Sequence, residues 1–271
     1  MNKQNFYIAT FLKDLKIAYS YKLQFVFNLL SIFVSIFFIY IFSGLVDGSD
    51  NPIMEKYGGS YFVFLFFGFL TAELSVLFLN TMPSKIREYQ LTGIFEELMM
   101  SGRKEIHIIL STLIYPCFFQ VIRLSLYLLL FSFIAGSADF ISNLSIYSFL
   151  SIILFIISLI GISLISAAFT VLFKSRGIIN TLYLSVSSVL SGVAFPVELL
   201  PKFLIYLGEI LPTTQFLKIT RSDLAGTIEF GETYFCLSIM LVMAVILFTL
   251  GAMLLKKSIA MSKRNGTLLT Y

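Results

Sequence analysis

Six stretches of this chain run for roughly twenty residues with almost no charge: Leu23–Val46, Ser60–Asn80, Ile108–Ala135, Ile146–Phe173, Ile178–Phe195 and Tyr234–Leu255. A helix rises about 1.5 Å per residue, so each stretch is long enough to cross a bilayer's hydrocarbon core. The pattern predicts an all-α integral membrane protein of six spans. The fourth and fifth runs are separated only by the KSRG of residues 174–177, so the chain is expected to turn tightly there. A further apolar run, Leu199–Leu217, carries Pro201, Lys202, Glu209 and Pro212. It predicts broken, re-entrant or interfacial helices rather than another span.

Two segments outside the spans are amphipathic. Over about residues 5–21, a 100° period puts Ile8, Phe11, Leu12, Leu15, Ala18 and Tyr19 on one face and Lys13, Lys16 and Ser20 on another. Such a helix is suited to lie in the membrane interface with its lysines toward anionic headgroups. The plainer alternative is an extension of the first span. Between the second and third spans, the same period gathers Leu91, Ile94, Phe95, Leu98 and Met99 in one arc and leaves Glu96, Glu97 and Met100 outside it. Gly93 and Gly102 bracket this short helix, and Lys85, Arg87, Arg103 and Lys104 flank it. Its apolar face can rest on the bilayer or dock in a groove of a partner protein, and periodicity leaves both readings open.

Composition agrees with a membrane chain: 58% hydrophobic and 13% charged, with 30 phenylalanines and a mean hydropathy of +0.93. Soluble domains average about 45–50% apolar and about 25% charged. The 271 residues read as one membrane domain, 1–271, with too little polar sequence for a second folded unit. Lysine and arginine predict the orientation. With the N-terminus inside, fourteen of the 19 fall on cytoplasmic segments, four outside, and Arg123 within a span. Acidic residues lean outward: Asp47, Asp50, Glu55, Asp139, Glu198, Glu209, Asp223, Glu229 and Glu232. The expected topology has both termini in the cytoplasm of a cell membrane. The net charge of +4 follows this pattern and predicts no nucleic-acid partner. No short apolar core with a small-residue cleavage site follows the first lysines, so no cleaved leader is expected.

Candidate chemistry is sparse. Glu73 and Arg123 are the two ionisable residues within spans, each costing about 2.5–3.5 kcal/mol at mid-bilayer on insertion scales. They are expected to pair between neighbouring helices or to line a transport path. Pro116 is expected to kink the third span. Ser187/Ser191 and Ser188/Gly192 have the small-xxx-small spacing that lets helices approach closely. Cys117 and Cys236 lie in different spans and predict no disulfide; lone His107 makes no metal site. An embedded enzyme would need a nucleophile–base or metal set, which these residues do not supply. An ATP-independent transporter or channel would usually show an inverted repeat or more midplane charge.

The string REYQLTGIFEELMMSG (87–102) resembles the cytoplasmic signature of the type-2 ABC transporter permeases, R-E-x-Q-x-x-G-T-L-E-x-L-L-x-[ST]-P. Arg87, Glu88, Gln90, Gly93, Glu96, Leu98 and Ser101 match, and Phe95 and Met99 are conservative. Ile94 and Gly102 depart from the usual Thr and Pro. SGVAFPVELLPKFLIYLGEILPTTQFLK (191–218) resembles the same family's S-G-x-x-F-P…L-P…L-P pattern, matching at Ser191, Gly192, Phe195, Pro196, Leu200, Pro201, Leu211 and Pro212. The resemblance implies a permease subunit of an ABC exporter. A second copy, identical or homologous, completes the pore, and a separate cytoplasmic ATPase carries ATP and Mg. Residues Arg87–Ser101, including Glu97, then form a coupling helix seated in that ATPase. Pro196, Pro201 and Pro212 shape a re-entrant outer element, and Ser187, Ser188, Ser191 and Gly192 face the other subunit or the pore. The chain has no G-x-x-x-x-G-K-[ST] to cradle phosphates and is expected to bind no cofactor itself. The apolar spans suit an amphipathic, lipid-linked or drug- or peptide-like cargo.

Overall fold

In the computed structural model, residues 3–46, 60–135, 145–175, 177–227 and 229–265 are described, and among them regular structure is helical. Asp47, Asp50, Glu55, Lys56, Asp139 and Arg176, whose charges entered the expected orientation, lie outside these residues. The helices are α1 (Lys3–Ser20), α2 (Lys22–Val46), α3 (Tyr61–Leu91), α4 (Ile94–Met100), α5 (Glu105–Ser111), α6 (Ile114–Ala135), α7 (Ile146–Phe173), α8 (Ile178–Leu190), α9 (Lys202–Gly208), α10 (Pro212–Leu224) and α11 (Phe230–Arg264). A short 3₁₀ turn, Val197–Leu199, precedes α9. Five segments are long and apolar enough to cross a membrane: within α2, α3, the α5–α6 pair, α7 and α11. The chain is a multi-pass membrane protein.

The run expected as the fifth span differs. Its helix, α8, has 13 residues and stops at Leu190, short of Phe195. At about 1.5 Å per residue it is roughly 20 Å long, less than the ~30 Å hydrocarbon core. The third run also differs. Where Pro116 predicts a kink, a hydrogen-bonded turn at Thr112–Leu113 interrupts the helix, and α6 starts after it with Pro116 in its first turn. A first-turn proline has no intrahelical donor to lose.

α3 does the opposite, running 11 residues past Asn80 and straight through Pro83. Proline at 83 has no N–H for the carbonyl of Leu79 four residues earlier. That carbonyl instead accepts from Asn180 Nδ2 at 2.6 Å and Ser163 Oγ at 3.2 Å. A lone asparagine at the start of α8 and a serine in α7 thus keep α3 continuous to its charged end.

α3 and α7 are the most enclosed long helices, with α2, α6 and α11 outside them. One apolar cluster joins α3, α4, α5, α7, α10 and α11; a second joins α2, α3 and α6, with Phe66 and Phe131 stacked at 4.2 Å. α7 and α11 cross at a glycine pair. A methyl group on Gly161 would lie 2.6 Å from Leu247 backbone, and one on Gly251 would lie 2.5 Å from the Gly161 carbonyl. Without water to drive helices together in lipid, such close backbone packing is a main source of association.

The two ends of the bundle are tied differently. At the charged end, Tyr7 Oη lies 3.0 Å from His107 Nδ1, Lys13 Nζ donates to Tyr89 Oη at 3.3 Å, and Lys263 reaches Glu105 at 3.4 Å. Asp14 is buried there, with Lys13 at 3.6 Å and Lys85 at 3.8 Å. The face of α1 read as lipid-facing divides: Ile8, Leu12 and Tyr19 are exposed, whereas Phe11 packs edge-on against Phe118 of α6.

The opposite end is built on α10, which is almost wholly buried. Lys218 and Glu209 form an ion pair. Arg221 and Asp223, read from sequence as outer-loop charges, are both enclosed. Asp223 Oδ2 accepts from the Ser145 amide at 2.7 Å, from the Ser145 hydroxyl at 2.8 Å and from Ser148. Arg221 Nη1 donates to the Gly192 carbonyl at 2.8 Å and Nη2 to the Phe64 carbonyl at 3.0 Å, with the guanidinium 3.6 Å over the Phe64 ring. Pro212 is the first residue of α10, a favoured proline position, while Pro196 and Pro201 immediately precede the 3₁₀ turn and α9.

Candidate functional site

α4 exists because the chain turns sharply at each end. α3 closes with the Thr92 amide on the Glu88 carbonyl at 3.0 Å and the Thr92 hydroxyl on the same carbonyl at 2.9 Å. Gly93 then takes φ +75°, a conformation costly for any residue with a Cβ, and serves as the N-cap without a side-chain hydrogen bond. Ile94 is the first helical residue, so the hydroxyl of a threonine at 94 would sit one position past the cap. Glu96 and Glu97 lie in the first turn, where carboxylates complement the helix dipole. At the exit, Ser101 Oγ donates to the Leu98 carbonyl at 2.7 Å, and Gly102 has φ +72°. Glycine reverses the chain there without the proline of the family pattern.

The apolar arc predicted for this helix is divided. Phe95 is 1% exposed and Met99 is buried, and both share the main cluster with Met82, Ile86 and Tyr89 of α3 and Ile108 and Ile109 of α5. Leu98 packs against that cluster from its margin. Ile94 is 43% exposed, and Leu91 and Met100 are exposed further. In α4 the exposed residues are thus Ile94, Glu97 and Met100, and Glu88 and Leu91 are exposed at the end of α3. They make a mixed apolar and acidic surface. Gln90 is buried, Arg87 and Glu96 are half-buried, and Ser101 is exposed. Lys85 pairs with Glu88 at 3.0 Å and lies 3.8 Å from Asp14 of α1, and the Arg103 guanidinium lies 4.4 Å from the Phe6 ring centre, so α1 contacts the chain on both sides of α4.

This placement changes the meaning of substitutions. Phe95→Ala is expected to lower the stability of the chain by about 3–5 kcal/mol, the usual cost of deleting a buried phenylalanine. Thermal unfolding in detergent checks this. An unchanged midpoint would mean that Phe95 is not seated in the core.

Glu73 and Arg123 do pair, with Nη1 3.1 Å from Oε2, and Arg123 Nη2 also donates to Tyr127 Oη at 3.2 Å. The pair links α3 to α6 and neutralises two charges that hydrocarbon would tolerate poorly. The four small residues do not share a face: Ser187 and Ser188 belong to α8, and Ser191 and Gly192 follow its end. Ser187, Ser191 and Gly192 are enclosed within the chain, and Ser188 is exposed among Leu182, Val186 and Val189. Ser187 and Ser191 are thus covered within one copy of the chain, and Ser188 is the one of the four that stays exposed. Among the described residues, no three His, Cys, Asp or Glu gather as metal ligands would.

Sequence reasoning missed Pro83, Asn180, Arg221 and Asp223. The one available signal was Asn180, a polar residue in an apolar run. The partners lie far away in sequence, 101 residues for Asn180 and Leu79 and 157 for Arg221 and Phe64.

A family model described as ABC-2 type transporter matches residues 8–225 of the chain. A search of curated proteins finds no match.

Proposed function

The chain belongs to the ABC-2 type transporter family, and on that premise we propose that it is the permease of an ATP-driven exporter whose ATPase is a separate subunit docked on α4. The observation that carries this reading is the outward face of α4. A helix meant only to rest on lipid would turn its largest apolar groups outward. Here Phe95 and Met99 turn inward, and the exposed surface alternates Ile94 and Met100 with Glu97. Such a face suits a protein groove with apolar floor and basic rim better than a hydrocarbon boundary.

The mechanics follow from the attachments of α4. Its inner face is locked to the ends of α3 and α5, so a push on Ile94 and Glu97 moves those helix ends with it. α3 transmits that motion as one rigid rod past Pro83, because Asn180 and Ser163 satisfy the Leu79 carbonyl. ATP and Mg act in the partner; closing of two ATPase subunits drives the stroke. The basic flanks and both termini lie on the cytoplasmic side of a cell membrane, as the lysine and arginine bias predicts. α8, with the stretch through Pro196, completes a sixth crossing. A second copy of the chain, or a homologue, completes the pore. The exposed apolar faces of α2 and α8 are available to it and to lipid. The cargo is amphipathic, lipid-linked, or drug- or peptide-like.

Purification of the tagged chain from its native membrane tests this reading. An ATPase subunit is expected to be retained, and transport in reconstituted vesicles is expected to stop without ATP. A chain that never retains an ATPase and transports in ATP-depleted vesicles overturns it.

A further inference from the structure

A cavity of about 730 Å³ opens between α3, α6, α7 and α10. Its volume falls within the roughly 300–1,000 Å³ typical of small-molecule sites. Its walls are apolar, with Leu74 of α3, Leu124 of α6, Ile156 of α7 and Phe216 of α10 among them. No charged side chain lines it among the described residues. Arg123 belongs to α6 but is engaged with Glu73 and is not part of the wall.

Four hydrogen-bonding side chains face this space: Thr71, Gln120, Ser148 and Thr220. Three have their protons engaged. Thr71 donates to the Phe67 carbonyl at 2.7 Å, Thr220 to the Phe216 carbonyl at 2.9 Å, and Ser148 to Asp223. Gln120 is the exception. It is 4% exposed, and its Nε2 is buried with no hydrogen-bond partner among the described residues. An amide N–H in an apolar interior is costly unless an acceptor meets it. The acceptor must be neutral, because a carboxylate or phosphate here would be desolvated without a cation. Val121, also on the cavity wall, is 65% exposed, so the cavity is open beside α6, which belongs to a segment apolar enough to cross a membrane.

We propose that this cavity binds a neutral membrane lipid, one that carries a carbonyl oxygen and no charged headgroup. The carbonyl accepts from Gln120 Nε2, and the chain lies along the α3 and α7 walls. This site is separate from α4 and stands whether or not an ATPase docks there.

The test uses the full chain in phosphatidylcholine nanodiscs with a diacylglycerol bearing a diazirine on one acyl chain. Labelling is expected to be saturable and to map to the walls, at Leu74, Leu124 or Ile156. Excess dioleoylglycerol is expected to displace it at least fivefold better than excess phosphatidylcholine. Gln120→Leu keeps the shape and removes the unmet donor, so it is expected to fold and to lose at least fivefold in labelling. Ile156→Trp, which fills the cavity from the opposite wall, is expected to abolish labelling there. Dioleoylglycerol is also expected to raise the thermal midpoint of the parent chain and not that of Gln120→Leu. The proposal is overturned by labelling confined to outward residues such as Phe27 or Phe133. Equal displacement by phosphatidylcholine, or the same labelling and midpoint shift in Gln120→Leu, also overturns it.

Discussion

Changing Ile94 to Asp and Glu97 to Lys together is expected to abolish ATP-driven transport while the chain still folds and inserts. Neither side chain belongs to the packed cluster around Phe95, and both are exposed. Surface changes of this kind usually alter stability by no more than about 0.5 kcal/mol. Their effect on a docked partner is far larger. An aspartate in an apolar subsite is desolvated without compensation, and a lysine against a basic rim adds like-charge repulsion of several kcal/mol. A loss of about 3 kcal/mol in docking is more than a hundredfold in affinity. The comparison with Phe95→Ala separates the two roles of α4. The outward double variant is expected to keep its thermal midpoint and lose transport, and Phe95→Ala is expected to lose the midpoint first. Transport at the parent rate in the double variant would remove α4 from the coupling path.

Arg221→Ala is expected to be the most destabilising single change at the opposite end, by roughly 2–4 kcal/mol, since two buried carbonyls lose their donor. The guanidinium holds three chain segments together: α10, the start of α3 through Phe64, and the turn after α8 through Gly192. The fit is close enough that a methyl group on Gly68 would lie 1.9 Å from the Val193 carbonyl and 3.2 Å from Arg221 Nη2. Arg221→Lys is expected to recover little, because one ammonium lacks the planar fork that reaches both carbonyls. Thermal unfolding in detergent, with yield after size exclusion, reads the effect. An Arg221→Ala chain as stable as the parent would mean that α10 is anchored by its apolar contacts alone.

These two sites show what the amino-acid pattern conveys and what it withholds. Ile146–Phe173 is uninterrupted apolar sequence with the same bounds as α7, because length and hydropathy alone define a lipid-crossing helix. Ile178–Phe195 looks equally apolar, yet α8 stops at Leu190. Its end is set by the positive φ of Gly192 and by Arg221, 29 residues on. Pro83 should interrupt α3 and does not, because Asn180 and Ser163 take its orphaned acceptor. A local reading sees the proline and not its remedy. At α4, the 100° period correctly groups Ile94, Phe95, Leu98 and Met99 on adjoining positions. It cannot say which of them the rest of the chain will cover. That division, with Phe95 inward and Ile94 outward, is a tertiary fact, and within α4 it leaves Ile94, Glu97 and Met100 as the exposed part of the candidate coupling helix. Glu73 and Arg123 were the legible exception, since two opposite charges in neighbouring spans have few other ways to be tolerated.

The most direct test of the central claim is cysteine cross-linking in a background with Cys117 and Cys236 replaced by alanine. Single cysteines at Ile94, Glu97, Met99 and Met100 are compared in native membranes, using a short thiol-reactive reagent whose second end is photoactivated. Glu97→Cys is predicted to yield a permease–ATPase adduct that changes in amount when ATP is bound, and Met99→Cys, facing the core, is predicted to yield none. Adducts of Glu97→Cys with lipid-phase reagents alone, and no adduct with an ATPase from position 94, 97 or 100, would contradict a docked α4.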